Sequence, residues 1–170
     1  MKENIGVLNI PENRKKPVVI DLPGHERIRY KCLDAQKGSA MGIVYVLDAS
    51  TITKGIRDAT EFLFRILSDP TIYSNKTPVL VICNKQDLTL AKGASVIERE
   101  LAKEIGLLRE THAGTLQGTD GSVLNHKFLG KQDKDFSFAD LKASVDFCET
   151  SVSEDENLDK VQAWISNISG

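Results

Sequence analysis

Two unbroken apolar runs constrain this chain most: Gly42-Ile43-Val44-Tyr45-Val46-Leu47-Asp48 and Val79-Leu80-Val81-Ile82-Cys83. A strand wetted on one face alternates apolar and polar residues. A run without alternation suits a parallel strand covered on both faces. Helical spacing lies between and after these runs. Ile56, Ala59, Phe62, Leu63, Ile66 and Leu67 mark one helix. It should stop near Ser68-Asp69-Pro70, because proline disfavours helical geometry in the residue before it. Val96, Ile97, Leu101, Ile105 and Leu108 mark a second helix. Val145-Asp146-Phe147-Cys148 reads as a weaker final strand, and Leu158, Val161, Trp164, Ile165 and Ile168 as a closing helix over 157–168, with Trp164 in the core. Strands alternating with helices predict an α/β doubly wound sheet, with ligands at the carboxyl ends of its strands.

The N-terminal part follows a different pattern. Ile5 to Ile10 and Pro17 to Ile20 flank a turn-like 11–16 stretch, which predicts a β-hairpin over 5–20. The polar, basic residues after His25 read as an irregular short helix. From Arg109 to Asp135 the periodicity dissolves into Gly, Thr, Ser, Asp and Lys, so 109–135 reads as a loop insertion. The 170 residues make one domain. A net charge of −2 offers no electrostatic case for nucleic acid or an anionic membrane surface. Cys32, Cys83 and Cys148 lack metal-ligand spacing, and Cys83, within an apolar strand-like run, reads as a buried thiol in a reducing compartment. His112 and His126 lack Cys or Glu companions and read as solvated loop residues. No apolar stretch approaches the ~20 residues that cross a bilayer, so the chain as given reads as soluble and cytosolic.

Two strand exits carry chemistry. The first is Val18-Val19-Ile20-Asp21-Leu22-Pro23-Gly24-His25. A carboxylate at Asp21 suits Mg²⁺, which keeps much of its water and leans on one or two carboxylates plus phosphate oxygens. Gly24 lets its backbone N–H approach a phosphate without a Cβ in the way. His25 then stands where a side chain orients an attacking water. An ordinary Pro-Gly bend explains the same residues about equally well. The second exit, Asn84-Lys85-Gln86-Asp87, is sharper. A carboxylate at Asp87 accepts the N1–H and 2-amino donors of guanine, a pair that adenine lacks. Asn84 can bond the base and tie neighbouring loops, and the aliphatic stem of Lys85 can cover a ring face. Glu149-Thr150-Ser151-Val152 is a weaker third element, and Asp48-Ala49-Ser50 reads as a strand-end turn and helix cap.

With these residues in place, the chain resembles the small GTPases of the Ras and Arf-like superfamily. More narrowly, it resembles the family of signal recognition particle receptor beta subunits. The resemblance rests on Asp21-Leu22-Pro23-Gly24-His25-Glu26, Val46-Leu47-Asp48-Ala49, Glu61-Phe62-Leu63-Phe64-Arg65-Ile66-Leu67, Cys83-Asn84-Lys85-Gln86-Asp87 and the stretch from Leu129-Gly130-Lys131 to Phe136. Arf-like relatives usually carry Gly-Gly-Gln where this chain has Pro23-Gly24-His25. The resemblance implies a P-loop-NTPase-like sheet, GTP and Mg²⁺ as ligands, and the receptor's alpha subunit as partner. It also implies attachment to the cytosolic face of the endoplasmic reticulum membrane through a segment missing here, with no direct nucleic-acid binding. By the same resemblance, Asp21, Gly24 and His25 face the γ-phosphate and Mg²⁺, with Asp21 the metal residue and His25 the catalytic one. Asn84, Lys85 and Asp87 face the base, and Ser151 and Val152 form the closing loop, where Val152 replaces the commoner Ala.

One part of the pattern is missing. G-x-x-x-x-G-K-[ST] occurs nowhere. Gly130-Lys131 imitates it, but Asn125 stands at the first glycine and Gln132 at the Ser/Thr. A βαβ unit needs ~30 or more residues, and only the twenty residues of the hairpin precede Asp21. The expectation is an N-terminally truncated, partial G domain lacking its first strand, phosphate-binding loop and first helix, impaired in GTP binding, with its GTPase activity left open. The missing strand would lie inside the sheet, so unpaired edges and a gap should separate its neighbours. The competing expectations are an Arf- or Sar-type vesicle-trafficking GTPase and a nucleotide-free interaction module around Arg27 to Cys32.

Overall fold

In the computed structural model, residues 4–8, 16–115, 129–131 and 134–169 are described. The strands are β1 Asn4–Val7, β2 Val18–Asp21, β3 Ile43–Asp48, β4 Val79–Asn84 and β5 Val145–Glu149. The helices are α1 Glu26–Gln36, α2 Ile52–Ser68, α3 Pro70–Asn75, α4 Ala94–Thr115 and α5 Leu158–Ser169, with a 3₁₀ turn at Phe138–Asp140.

The apolar runs do form parallel strands. β4 lies between β3 and β5, pairing Ile43 with Val79 on one side and Val79 with Val145 on the other. Alternate residues of β4 face opposite layers. Val79, Val81 and Cys83 pack with Leu63, Leu67, Ile97, Leu101 and Ile105 of α2 and α4. Leu80 and Ile82 pack with Cys148 and with Val161 and Trp164 of α5. Helices on both faces are why β4 needs no polar residue until Asn84. All three cysteines are buried, and burial pushes the Cys83 thiol up to about 12.

α2 ends at Ser68 as expected. Asp69 then caps α3, its carboxylate accepting from the N–H groups of Thr71 (2.9 Å) and Ile72 (3.2 Å). Pro70 stands at the first helical position, where its missing N–H costs nothing.

β1 and β2 form their own antiparallel sheet, pairing Asn4 with Asp21 and Val7 with Val18. No pairing joins this sheet to β3–β4–β5. The expected gap between β2 and β3 is therefore present among the described residues. Its edge is apolar: Val44 is 40% and Val46 59% exposed. They lie in register with Leu80 and Ile82, which α5 covers.

Two expectations need correction. The segment after His25 is a regular eleven-residue helix, α1. It is held by Leu33, which packs with Phe62, Ile66 and Ile72 beneath Tyr30. Of the expected 109–135 loop, residues 116–128 and 132–133 lie outside the described residues; 109–115 instead continue α4, and Leu129 is fully buried in the core. The physical reason is Arg109. Its buried guanidinium donates to the carbonyls of Leu129 (3.1 Å), Lys131 (3.0 Å) and Lys134 (2.7 Å), which fastens these residues to α4. Gly130 sits there with φ +75°, and a Cβ would come 3.3 Å from Arg109 Nη1. Lys131 pairs with Asp140 at 2.5 Å. The Gly130-Lys131 pair thus supports this packing. The 11–15 part of the hairpin turn, Asn125, His126, Gln132 and the side chain of His112 lie outside the described residues.

Candidate functional site

The carboxyl ends of β3, β4 and β5 converge on Asn84. The Asn84 carbonyl accepts from Ala49 N–H at 2.9 Å, which fastens the turn after β3 to the end of β4. The Asn84 side-chain oxygen accepts from Thr150 Oγ1 (3.1 Å) and Val152 N–H (3.2 Å), which fastens the loop after β5. Gln86 N–H donates to the Thr150 carbonyl, and Thr150 N–H to the Cys83 carbonyl, both at 3.1 Å. The Gln86 amide donates to the carbonyls of Cys83 (3.2 Å) and Lys92 (3.0 Å), closing the 85–92 loop on itself.

Asp87 is exposed, yet it is oriented. Ser151 Oγ donates to Asp87 Oδ1 at 2.5 Å, and this hydroxyl holds the Asp87 carboxyl below the ordinary carboxylate value. Ser151 is buried and fixed in turn. It shares a hydrogen bond with Ser153 Oγ at 3.0 Å, and its hydroxyl accepts from Glu154 N–H at 3.3 Å. Ser151 and Glu156 exchange backbone hydrogen bonds of 3.3 and 2.8 Å, with Asp155 and Asn157 in the left-handed region to make the turn. Glu149 accepts from Ala94 N–H at 2.6 Å, anchoring the start of α4 beside the same loop.

Lys85 has φ +68°. Its ammonium reaches Asp48 Oδ2 at 2.7 Å. Asp48 Oδ1 accepts from Ser50 N–H (2.9 Å) and Ser50 Oγ (2.6 Å). The ammonium and the Ser50 hydroxyl hold the Asp48 carboxyl well below the usual carboxylate range. Asp48-Ala49-Ser50 forms the expected turn after β3, but the expected helix cap there needs correction: the N-cap position of α2 is Thr51, which makes no side-chain capping bond.

The other strand exit is sparsely tied. Asp21 ends β2, is exposed, and accepts from Asn4 Nδ2 at 3.2 Å. A Cβ on Gly24 would meet nothing within 4 Å. His25 is exposed at the N-cap of α1 with no side-chain capping bond, and its carbonyl accepts from Ile28 and Arg29 N–H at 3.0 Å. The structure therefore gathers Asn84, Lys85, Asp87, Ser151 and Val152 into one hydrogen-bonded group. Asp21, Gly24 and His25 stand on the separate hairpin side. Among the described residues no three His, Cys, Asp or Glu side chains gather as a metal site.

Sequence reasoning did not single out Asp48 as a site residue, nor Gln86. Asp48 pairs directly with Asn84 in the β3–β4 register. Two polar residues that each end an apolar strand were the available signal, once adjacency of those strands is assumed.

A family model described as the signal recognition particle receptor beta subunit matches residues 2–145. The signal recognition particle receptor subunit beta of Mus musculus is 32% identical over 173 residues, covering 98% of this chain and 64% of that protein. The chain thus spans just under two thirds of that relative's length. Among solved structures, the mammalian SRP receptor superposes with a TM-score of 0.85 at 32% identity, over 99% of this chain and 83% of that one. The SRb-GTP/SRX complex of Chaetomium thermophilum gives 0.71 at 20% identity, over 98% and 76%, a likeness of fold. The gapped α/β sheet, the Asn84-to-Asp87 strand exit and the family match agree: this chain belongs to the signal recognition particle receptor beta subunit family.

Proposed function

We propose that this chain carries the guanine-recognition half of a GTP-binding switch, the beta subunit of a signal recognition particle receptor. In the whole protein that switch would hold the receptor's alpha subunit at the cytosolic face of the endoplasmic reticulum membrane for co-translational targeting. The observation that carries the reading is the pinned pair of acceptors. Asp87 is held by Ser151, and Asn84 is held by Thr150 and Val152. A carboxylate fixed before the ligand arrives loses little freedom on binding, and it rejects a base that offers it no donors.

In this reading Asp87 accepts the N1–H and 2-amino group of guanine. Asn84 braces the loops, and the stem of Lys85 covers a ring face. Ser151 and Val152 close the site. Asp21 and the Gly24 backbone would face phosphate and Mg²⁺, with His25 beside them to orient water. Mg²⁺, when bound, neutralises phosphate charge, and a single carboxylate at Asp21 suits an ion that draws its other ligands from phosphate and water. Hydrolysis is not assigned to these 170 residues, which hold no G-x-x-x-x-G-K-[ST]. No described helix is long and apolar enough to cross a membrane.

The reading is tested by titrating the chain with guanosine and adenosine while following backbone amide NMR shifts. Guanosine should perturb residues 84–87 and 150–152 selectively. Equal responses to both nucleosides would overturn it.

A further inference from the structure

We propose that Asp48 is a positioning residue for base recognition, holding Lys85 as a rigid floor beneath the purine ring. The proposal rests on the guanine-site reading above and adds a residue to it.

Lys85 leaves the end of β4 with φ +68°, and its ammonium is bonded to Asp48 at the end of β3, 2.7 Å away. The two strands are in parallel register there, Asp48 opposite Asn84. Neighbouring strands lie about 4.8 Å apart. The four-carbon stem therefore runs from one strand end to the next and is held at both ends. Unheld, a lysine at this exposure would sample many rotamers, and a ring stacking on it would have to freeze them. Asp48 is itself held. Its second oxygen takes the Ser50 N–H and hydroxyl, and Ala49 on the same turn is bonded through its N–H to Asn84 and through its carbonyl to Lys92 N–H. The turn after β3 is thus built onto the base loop from three sides. An ion pair whose lysine is half exposed contributes little to folding. Its effect should appear in binding instead.

The test is a double-mutant cycle on the full chain, using guanosine as the probe and amide NMR shifts for affinity, with Tm recorded for each protein. Asp48→Asn and Lys85→Ala should each weaken guanosine about fivefold. The double variant should be no weaker than Lys85→Ala alone, because both changes remove the same held stem. Asp48→Glu, which keeps the charge, should recover part of the loss, and Tm should stay close to that of the unmodified chain for Asp48→Asn. Independent, multiplying losses would overturn the proposal. So would unchanged affinity in Asp48→Asn, or a collapse of its fold, which would make Asp48 merely structural. If the unmodified chain shows no selective guanosine response, the base-site reading itself falls, and this proposal with it.

Discussion

The two strand exits look alike as sequence, each an apolar run ending in polar residues with an aspartate, yet they differ as structure. Asn84 to Asp87 leave a strand that is paired on both sides and roofed by helices on both faces. Their side chains are tied to the turns after both neighbouring strands. Asp21 to His25 leave a four-residue strand paired on one side, whose residues are largely exposed. The difference teaches that the proposed base site rests on one self-sufficient sheet. Phosphate recognition would need groups arriving across the gap between β2 and β3.

The largest contrast should appear in amide hydrogen exchange. An isolated two-stranded hairpin is marginal in water, whereas core strands open only with the whole fold. Amides of β1 and β2 should exchange at least about a thousandfold faster than those of β4. Comparable protection would erase the distinction between the two regions. Substitution should sort the same way under denaturant unfolding. Leu101→Ala, at a fully buried site, should cost about 2–5 kcal/mol. Val7→Ala on the exposed hairpin should cost no more than about 0.5 kcal/mol.

Within the base site, Asp87→Asn exchanges a carboxylate acceptor for an amide and should move preference from guanine towards xanthine. A loss of about tenfold or more in guanosine affinity is expected, and an unchanged preference would refute the role of Asp87. The pH response is smaller. The Asp87 carboxyl is depressed by the Ser151 hydroxyl, so its charged form is fully present above the ordinary value of about 4 and lost only as pH falls through its lowered value. Ser151→Ala should shift the acid loss of guanosine binding upward towards that ordinary value. A shift downward, or none, would show that Ser151 does not hold the carboxylate. The smallest effect belongs to the other exit: His25→Ala should leave guanosine binding by this chain unchanged.

Much of this was legible in the residues, for identifiable reasons. Short continuous apolar runs between turn residues suit parallel strands, so β3 and β4 declared themselves, as did the apolar stripe of α2; β3 nonetheless leaves Val44 and Val46 exposed on one face. Asn84 and Asp87 stood out because polar residues directly after such a run must face the crevice. What stayed hidden depends on partners distant in the chain. Arg109 looks like any surface arginine until three carbonyls from 129–134 close around it. Asp48 looks like a turn former until β3 and β4 are set side by side. α1 looked irregular because its packing partners, Phe62 and Ile72, lie two and three elements further along the chain.

The most direct test of the comparison is the affinity of this chain for GTP with Mg²⁺ set beside its affinity for guanosine. The proposed base site, on a chain without the phosphate-loop sequence, predicts weak binding of both, within about tenfold of each other and insensitive to Mg²⁺. Micromolar, Mg²⁺-dependent binding of GTP alone would contradict it.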